Sequence, residues 1–357
     1  MISAAEKTAD NSVIAESVES AESAGLVYTS DDEPGIRRVR RGKGFSYYDP
    51  AENLVQDSRV LSRIKSLVIP PAWTDVWICM EPNGHLQATG RDAKGRKQYR
   101  YHNRWRETRD QDKYCGLPAF GESLPGIREK VELAMSQRGL PREKVIATVV
   151  ALLDRGLIRV GNASYARENN SFGLTTMRDR HVEVSTTRVK FEFRGKRGIE
   201  QVVDISDRKL ARVVKQCRDL PGYELFQYVD DDGQRRTVES ADVNSYLREV
   251  TGLDFTAKDF RTWGGTVLAL AALRRIGGFS TKREAQSNIV SAIDEVAAQL
   301  GNTRAICRKC YIHPQVIDAY MDGSLFDEAV TAALEGEHGY LEPEEAATLL
   351  LIGEDND

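Results

Sequence analysis

Hydrophobic and polar positions change rhythm near residue 116. Between residues 36 and 115 the apolar and aromatic side chains come in short runs broken by turn residues. GKGFSYYD (42–49) and VWICMEPNGHLQATGRD (76–92) predict strands, with Pro82-Asn83-Gly84 as a hairpin turn. DSRVLSRIKSLVIPPAW, between them, predicts a short helix stopped by Pro70 and Pro71. From residue 116 onward apolar residues recur at helical spacing. REKVIATVVALLDRG predicts a helix with Gly156 as its C-cap. KLARVVKQCRDL, ADVNSYLREVTG, TAKDFRTWGGTVLALAALRRIGG and REAQSNIVSAIDEVAAQLGN predict four more. One β interruption stands out. STTRVKFEFRGKRGIEQVVDI alternates, turns at Arg194–Gly198 and alternates again, which predicts a hairpin with Lys196 at its tip. ATLLLIG, in acidic surroundings, predicts a final helix with a frayed end.

The expected architecture is therefore α+β. An acidic disordered tail (1–34) precedes a small β-rich domain (35–116). A larger, mostly helical domain carrying the hairpin (117–325) and an acidic helix and tail (326–357) follow. The chain of 357 residues, 41% hydrophobic, is long enough for two domains with a sizeable core. No apolar run is long enough to span a bilayer, and no basic segment followed by an apolar core opens the chain, so a cytoplasmic protein is expected.

Charge changes the picture. The net charge of −4 conceals a strong asymmetry. Residues 1–35 hold eight acidic side chains against one lysine; residues 322–357 hold eleven and no Lys or Arg; the body between them carries +14. A basic body between acidic ends fits a polyanion partner, although acidic ends also serve solubility. GRKQYRYHNRWRE interleaves basic residues with Tyr99, Tyr101 and Trp105, a pattern for DNA contact or for an edge strand with a solvated basic face. The five cysteines, an odd number, point to reduced thiols; Cys307-x-x-Cys310 lacks the second pair or His pair that a zinc site needs. No metal or cofactor is expected.

Five polar residues could together perform phosphoryl transfer. Arg159 follows an apolar helix and Arg261 lies near the start of another, settings in which a guanidinium needs an anionic partner, either an internal carboxylate or a phosphate. Lys196, flanked by Gly195 and Gly198, is either a solvated turn lysine or a proton donor that reaches into a groove. Tyr311 in RAICRKCYIHP is either a packing residue or a nucleophile in a basic neighbourhood. Asn302, just past a helix ending at Gly301, supplies a hydrogen-bond donor.

Several stretches, in this order and at these distances, resemble the type IB DNA topoisomerases of the poxvirus-like and, above all, bacterial branch. They are SRIKSLVIPPAW, GRKQYRYH, DRGLIRVGN, the Gly-Leu-Thr-Thr of SFGLTTMRDRH, FEFRGKRG, KDFRTWGGT and LGNTRAICRKCY. The resemblance covers about residues 36–321. It implies two domains forming a clamp around duplex DNA. It also implies Tyr311 as nucleophile, Lys196 as general acid, and Arg159 and Arg261 as the catalytic arginines. Asn302 stands where the poxvirus-like enzymes carry histidine, so it can donate a hydrogen bond but can be neither cationic nor a proton shuttle. Arg96, Gln98, Tyr99 and Tyr101 match positions that touch DNA. Lys258, three residues before Arg261, is placed with them; tyrosine recombinases, the nearest rivals, commonly carry His there and a helical amino-terminal domain. A DNA-binding protein without catalysis would explain the basic body but not the ordered set of five. The resemblance further implies a monomer on double-stranded DNA at the nucleoid, needing neither ATP nor metal.

Overall fold

The computed structural model describes residues 18, 21–106, 114–230 and 232–353. Of the disordered tail expected over residues 1–34, residues 1–17 and 19–20 lie outside the described residues, as does the frayed end at 354–357. The chain divides into two compact units, residues 1–115 and 116–357.

The first unit is built on five antiparallel strands: β1 (Ile36–Arg41), β2 (Gly44–Tyr48), β3 (Thr74–Ile78), β4 (Leu86–Arg91) and β5 (Lys97–Tyr101), in the order β2-β1-β3-β4-β5. Alternation puts Ile36, Val76, Ile78 and Ala88 on one face, where Ile64 of helix α1 (Ser58–Ser66) covers them. Asp57 caps α1 by accepting from Arg59 N at 2.7 Å. Strand β4 does not alternate in burial: Leu86 through Gly90 are all buried. The reason corrects the expected start of order near Pro34. Residues 26–31 lie across the other side of β4. Thr29 N donates to His85 Nδ1 at 3.0 Å, and the Thr89 hydroxyl donates to Asp31 at 3.0 Å. Ala21 and Leu26 are buried with Trp105. The polar composition of this segment conceals a folded strap that hydrogen-bonds His85, the Leu86 carbonyl and Thr89.

The second unit is mostly helical. Helix α2 (Leu117–Met135) is followed by α3 (Arg142–Gly156), buried without a break from Lys144 to Leu153, as a central helix requires. Gly156 is the last helical residue, not the cap. Leu157 takes the left-handed conformation instead, at φ 50°. After α4 (Ala163–Asn169) come β6 (Val182–Val184), β7 (Arg188–Arg194) and β8 (Glu200–Ser206), a three-stranded antiparallel sheet. The β7–β8 hairpin matches the expected one, with Lys196 on its turn. A second, unpredicted hairpin joins β9 (Gln227–Val229) to β10 (Arg235–Thr237), after α5 (Arg208–Arg218). The helices α6 (Ser240–Thr251), α7 (Ala257–Ile276), α8 (Lys282–Leu300), α9 (Arg304–Cys310), α10 (Pro314–Asp322), α11 (Glu328–Glu335) and α12 (Pro343–Gly353) complete the unit. Among the described residues no helix is long and apolar enough to cross a membrane.

One buried network ties four of these helices together. Arg128 of α2 forks onto Asp154 of α3 at 2.8 and 2.9 Å, and onto Glu345 of α12 at 2.6 and 2.8 Å. Trp263 of α7 donates its Nε1 to Glu345 at 3.0 Å. Burial alone would raise the Glu345 carboxyl; the Arg128 hydrogen bonds outweigh it and hold the group below the ordinary carboxylate value. A depressed carboxyl contributes stability above its unfolded value and loses that contribution as pH falls through the lower folded value. Glu345→Gln is therefore expected to destabilise the protein by about 3 kcal/mol at neutral pH, by leaving Arg128 under-compensated. The gap to wild type should shrink as pH falls below about 4. Urea unfolding at both pH values checks this; equal midpoints at pH 7 would contradict it.

Candidate active site

Helix α7 organises the site. Its start is fixed by a capping box in which Thr256 N donates to Asp259 at 2.7 Å. Lys258 lies exposed in this first turn, while Arg261, one turn on, is 3% exposed. Gly264 and Gly265 then let neighbouring segments approach closely. A Cβ at Gly264 would sit 2.5 Å from Leu157 Cδ2, and one at Gly265 would sit 2.5 Å from the Tyr311 carbonyl oxygen. The segment after α3 and the residue after α9 thus close on two sides of the same helix. Thr266 fixes the second approach, because its hydroxyl accepts from His313 N at 3.1 Å.

Arg159, Arg261, Asn302 and Tyr311 are brought together here. The Arg261 guanidinium donates from Nη1 to the Leu157 carbonyl and from Nη2 to the Leu300 carbonyl, the latter at 2.9 Å. Its Cζ lies 5.1 Å from the centroid of the Tyr311 ring. Arg159 Nη2 donates to Asn302 Oδ1 at 2.6 Å. The backbone of Arg159 is held in turn by the Gly-Leu-Thr-Thr motif, since Leu174 N donates to the Arg159 carbonyl at 2.9 Å. Tyr311 hydrogen-bonds with both guanidinium groups. Two buried donors, Arg261 Nε and Asn302 Nδ2, have no hydrogen-bond partner among the described residues.

The electrostatics are those of an anion site. Burial pushes Arg159 below the ordinary arginine value. Burial, together with the Arg159 charge, pushes Arg261 down to about 10, opposed by Tyr311. Both groups stay cationic at neutral pH. Among the described residues neither has a carboxylate within ion-pair distance; their partners are carbonyls, an amide oxygen and Tyr311. Of the two anionic partners the sequence left open, no internal carboxylate pairs with either arginine among the described residues. Cys307, buried against the same arginines, has its thiol pushed up to about 11 by burial.

Lys196 stands apart from this group. It is exposed on the β7–β8 turn, with no hydrogen bond or ion pair among the described residues. Its neighbour Arg197 is close enough for its charge to depress Arg159, which places the turn beside the site.

The expected DNA-contacting residues of the first unit lie on and before β5. Arg96 forms an ion pair with Asp92 at 2.6 Å, and Gln98 Nε2 donates to the same carboxylate at 3.1 Å. A phosphate would have to compete with Asp92 for both. Tyr99 is exposed and stacks on Tyr101, ring centroids 6.0 Å apart. Sequence reasoning missed Thr266 and the carbonyl partners of Arg261. The paired glycines of TWGGT were the available sign of close approach.

Comparison with known proteins bears on this arrangement. Residues 102–331 match the family model of the eukaryotic DNA topoisomerase I catalytic core, and residues 44–92 match that of the bacterial DNA topoisomerase IB N-terminal domain. The chain is 34% identical over 299 residues to DNA topoisomerase 1B of Acanthamoeba polyphaga mimivirus, covering 82% of this chain and 89% of that protein. It is 22% identical over 283 residues to DNA topoisomerase 1B of Vaccinia virus (strain Copenhagen), covering 78% and 85%.

Proposed function

Because the chain belongs to the type IB DNA topoisomerases, we propose that it relaxes supercoiled duplex DNA by cutting and rejoining one strand through Tyr311. The Tyr311 phenol oxygen attacks a backbone phosphorus and releases its proton to solvent. The bond from phosphorus to the 5′ oxygen breaks, and Lys196 gives that oxygen a proton. The products are a 3′-phosphotyrosyl link and a free 5′-hydroxyl. The free DNA end rotates and strain is lost; the 5′-hydroxyl then attacks the phosphorus and returns its proton to Lys196, while the phosphorus–oxygen bond to Tyr311 breaks and the phenolate takes a proton back from solvent. Phosphodiester energy is kept in the covalent link, so ATP is not consumed.

Arg159, Arg261 and Asn302 hold the nonbridging oxygens while charge redistributes. Each such donor contributes about 3 kcal/mol, by comparison with the loss of oxyanion-hole donors elsewhere. The observation that carries the reading is the pair of guanidinium groups beside Tyr311, Arg261 buried and Arg159 half-buried, with no carboxylate within ion-pair distance among the described residues. Asn302, whose Oδ1 is occupied by Arg159, has only Nδ2 to offer a phosphate oxygen. Proton donation therefore falls to Lys196. Arg96, Gln98, Tyr99, Tyr101 and Lys258 would contact the duplex outside the reacting phosphate. The same reading makes the enzyme a monomer acting at the nucleoid. Plasmid relaxation is expected to continue in excess EDTA without ATP; loss of activity under EDTA would overturn this reaction scheme.

A further inference from the structure

We infer that Gln201 positions the Lys196 turn against the Asn302 segment, and so controls where the proposed proton donor sits. The inference rests on the assignment of Lys196 above. Along the hairpin the inward positions are apolar: Val189, Phe191 and Phe193 on β7, Val203 and Ile205 on β8. Gln201 pairs with Phe193 and shares its face, so it takes the first inward position of β8 after the turn. A polar side chain stands where the apolar face would otherwise continue.

Its carboxamide lies between two glycines that flank site residues. A Cβ at Gly195, just before Lys196, would be 3.2 Å from Gln201 Cδ. A Cβ at Gly301, just before Asn302, would overlap Gln201 Nε2. Gly301 thus serves twice, taking the left-handed conformation that ends α8 (φ 58°) and leaving the space that the carboxamide fills. The turn itself is closed internally: Gly195 N donates to the Ile199 carbonyl at 2.8 Å and Gly198 N to the Gly195 carbonyl at 3.0 Å. A turn braced in this way moves as a unit, and its pose follows from what its base rests on. Lys196 has no hydrogen bond or ion pair of its own among the described residues to correct a tilt. Shortening Gln201 is expected to displace the ammonium, and a misplacement of about 1 Å can cost about a hundredfold in rate.

The test uses the full-length protein in single-turnover cleavage. The substrates are a duplex carrying a mapped cleavage site and the same duplex with a 5′-bridging phosphorothiolate there. In the second, the phosphorus–sulfur bond breaks and the thiolate leaves without a proton. Gln201→Ala is expected to cleave the ordinary phosphodiester about tenfold or more slowly and the phosphorothiolate at the wild-type rate. Gln201→Asn should fall between, and Gln201→Met, which keeps length and bulk, should restore most of the rate. The ratio of the two rates within one variant does not depend on the folded fraction, so a poorly folding variant still gives an answer. A defect of equal size on both substrates would overturn the inference and place the effect on Asn302; an unimpaired rate on the phosphodiester would overturn it too. Lys196→Ala separates the two levels. If it is not rescued by the phosphorothiolate, the assignment of Lys196 fails; if it is rescued and Gln201→Ala is not, only the role of Gln201 fails.

Discussion

Tyr311→Phe is expected to abolish plasmid relaxation, lowering the cleavage rate by about 10⁴-fold or more, because in the proposed reaction it removes the oxygen that bonds to phosphorus. The hydroxyl's hydrogen bonds to the Arg159 and Arg261 guanidinium groups go with it, but the rest of the packing should not change. The ring remains, and with it the contact to the Arg261 guanidinium 5.1 Å from its centroid. The close approach of the Tyr311 backbone to Gly265 and the Thr266 bond to His313 N do not involve the hydroxyl. Thermal melting should therefore fall only by what those two hydrogen bonds contribute, about 1–3 kcal/mol, and salt-sensitive DNA binding should stay near wild type. Relaxation assays run beside gel shifts check both halves. Retained relaxation would remove Tyr311 from the mechanism; lost binding would mean that the hydroxyl holds the fold or the DNA instead.

Arg261→Ala should have the next largest effect and should differ in kind. In the proposed reaction it removes a cation from beside the phosphate, a loss of about 10²–10³ in cleavage rate. It also leaves the Leu157 and Leu300 carbonyls without their donor. Each unpaired buried carbonyl costs about 1–3 kcal/mol, so the melting temperature should fall as well. Arg261→Lys separates the two contributions. It keeps the charge but cannot fork onto two carbonyls and face a phosphate at once. It should recover part of the rate and little of the stability. If Arg261→Ala cleaved DNA within about threefold of wild type while melting early, the residue would be a structural bolt between the ends of α3 and α8, not a phosphate ligand.

Much of this was legible in the sequence, and for physical reasons. The alternation on either side of Arg194–Gly198 fixed the hairpin, because a period of two on both flanks of a glycine turn has few other solutions. The motif words placed Arg159, Arg261, Asn302 and Tyr311 in one site. What stayed hidden were partners that leave no mark on the chain. Arg261 is held by backbone carbonyls, and any residue type can supply a carbonyl. Glu345 lies among acids that look solvated, yet it is buried against Arg128 and Trp263. Residues 21–31 read as an extension of an acidic tail, but Thr29 donates to the Leu86 carbonyl and Asp31 accepts from Thr89 on β4. Helix α2 was masked by Pro118, Gly121, Pro125 and Gly126, which argue against a helix one at a time. Pro118 lies in its first turn, where proline is tolerated; Gly121 makes room for the Trp263 ring. Gln201 had no motif to announce it, since its role depends on two glycines far apart in the chain.

The central claim is that Tyr311 becomes covalently joined to a 3′ phosphate. Denaturing the protein during cleavage of duplex DNA in EDTA, then digesting it and sequencing the nucleotide-bearing peptide by mass spectrometry, tests this most directly. The expected result is a single adduct on Tyr311, linked to the 3′ phosphate, with a 5′-hydroxyl on the released strand that accepts a labelled phosphate without prior dephosphorylation. An adduct on another residue, or a link to a 5′ phosphate, would contradict the account.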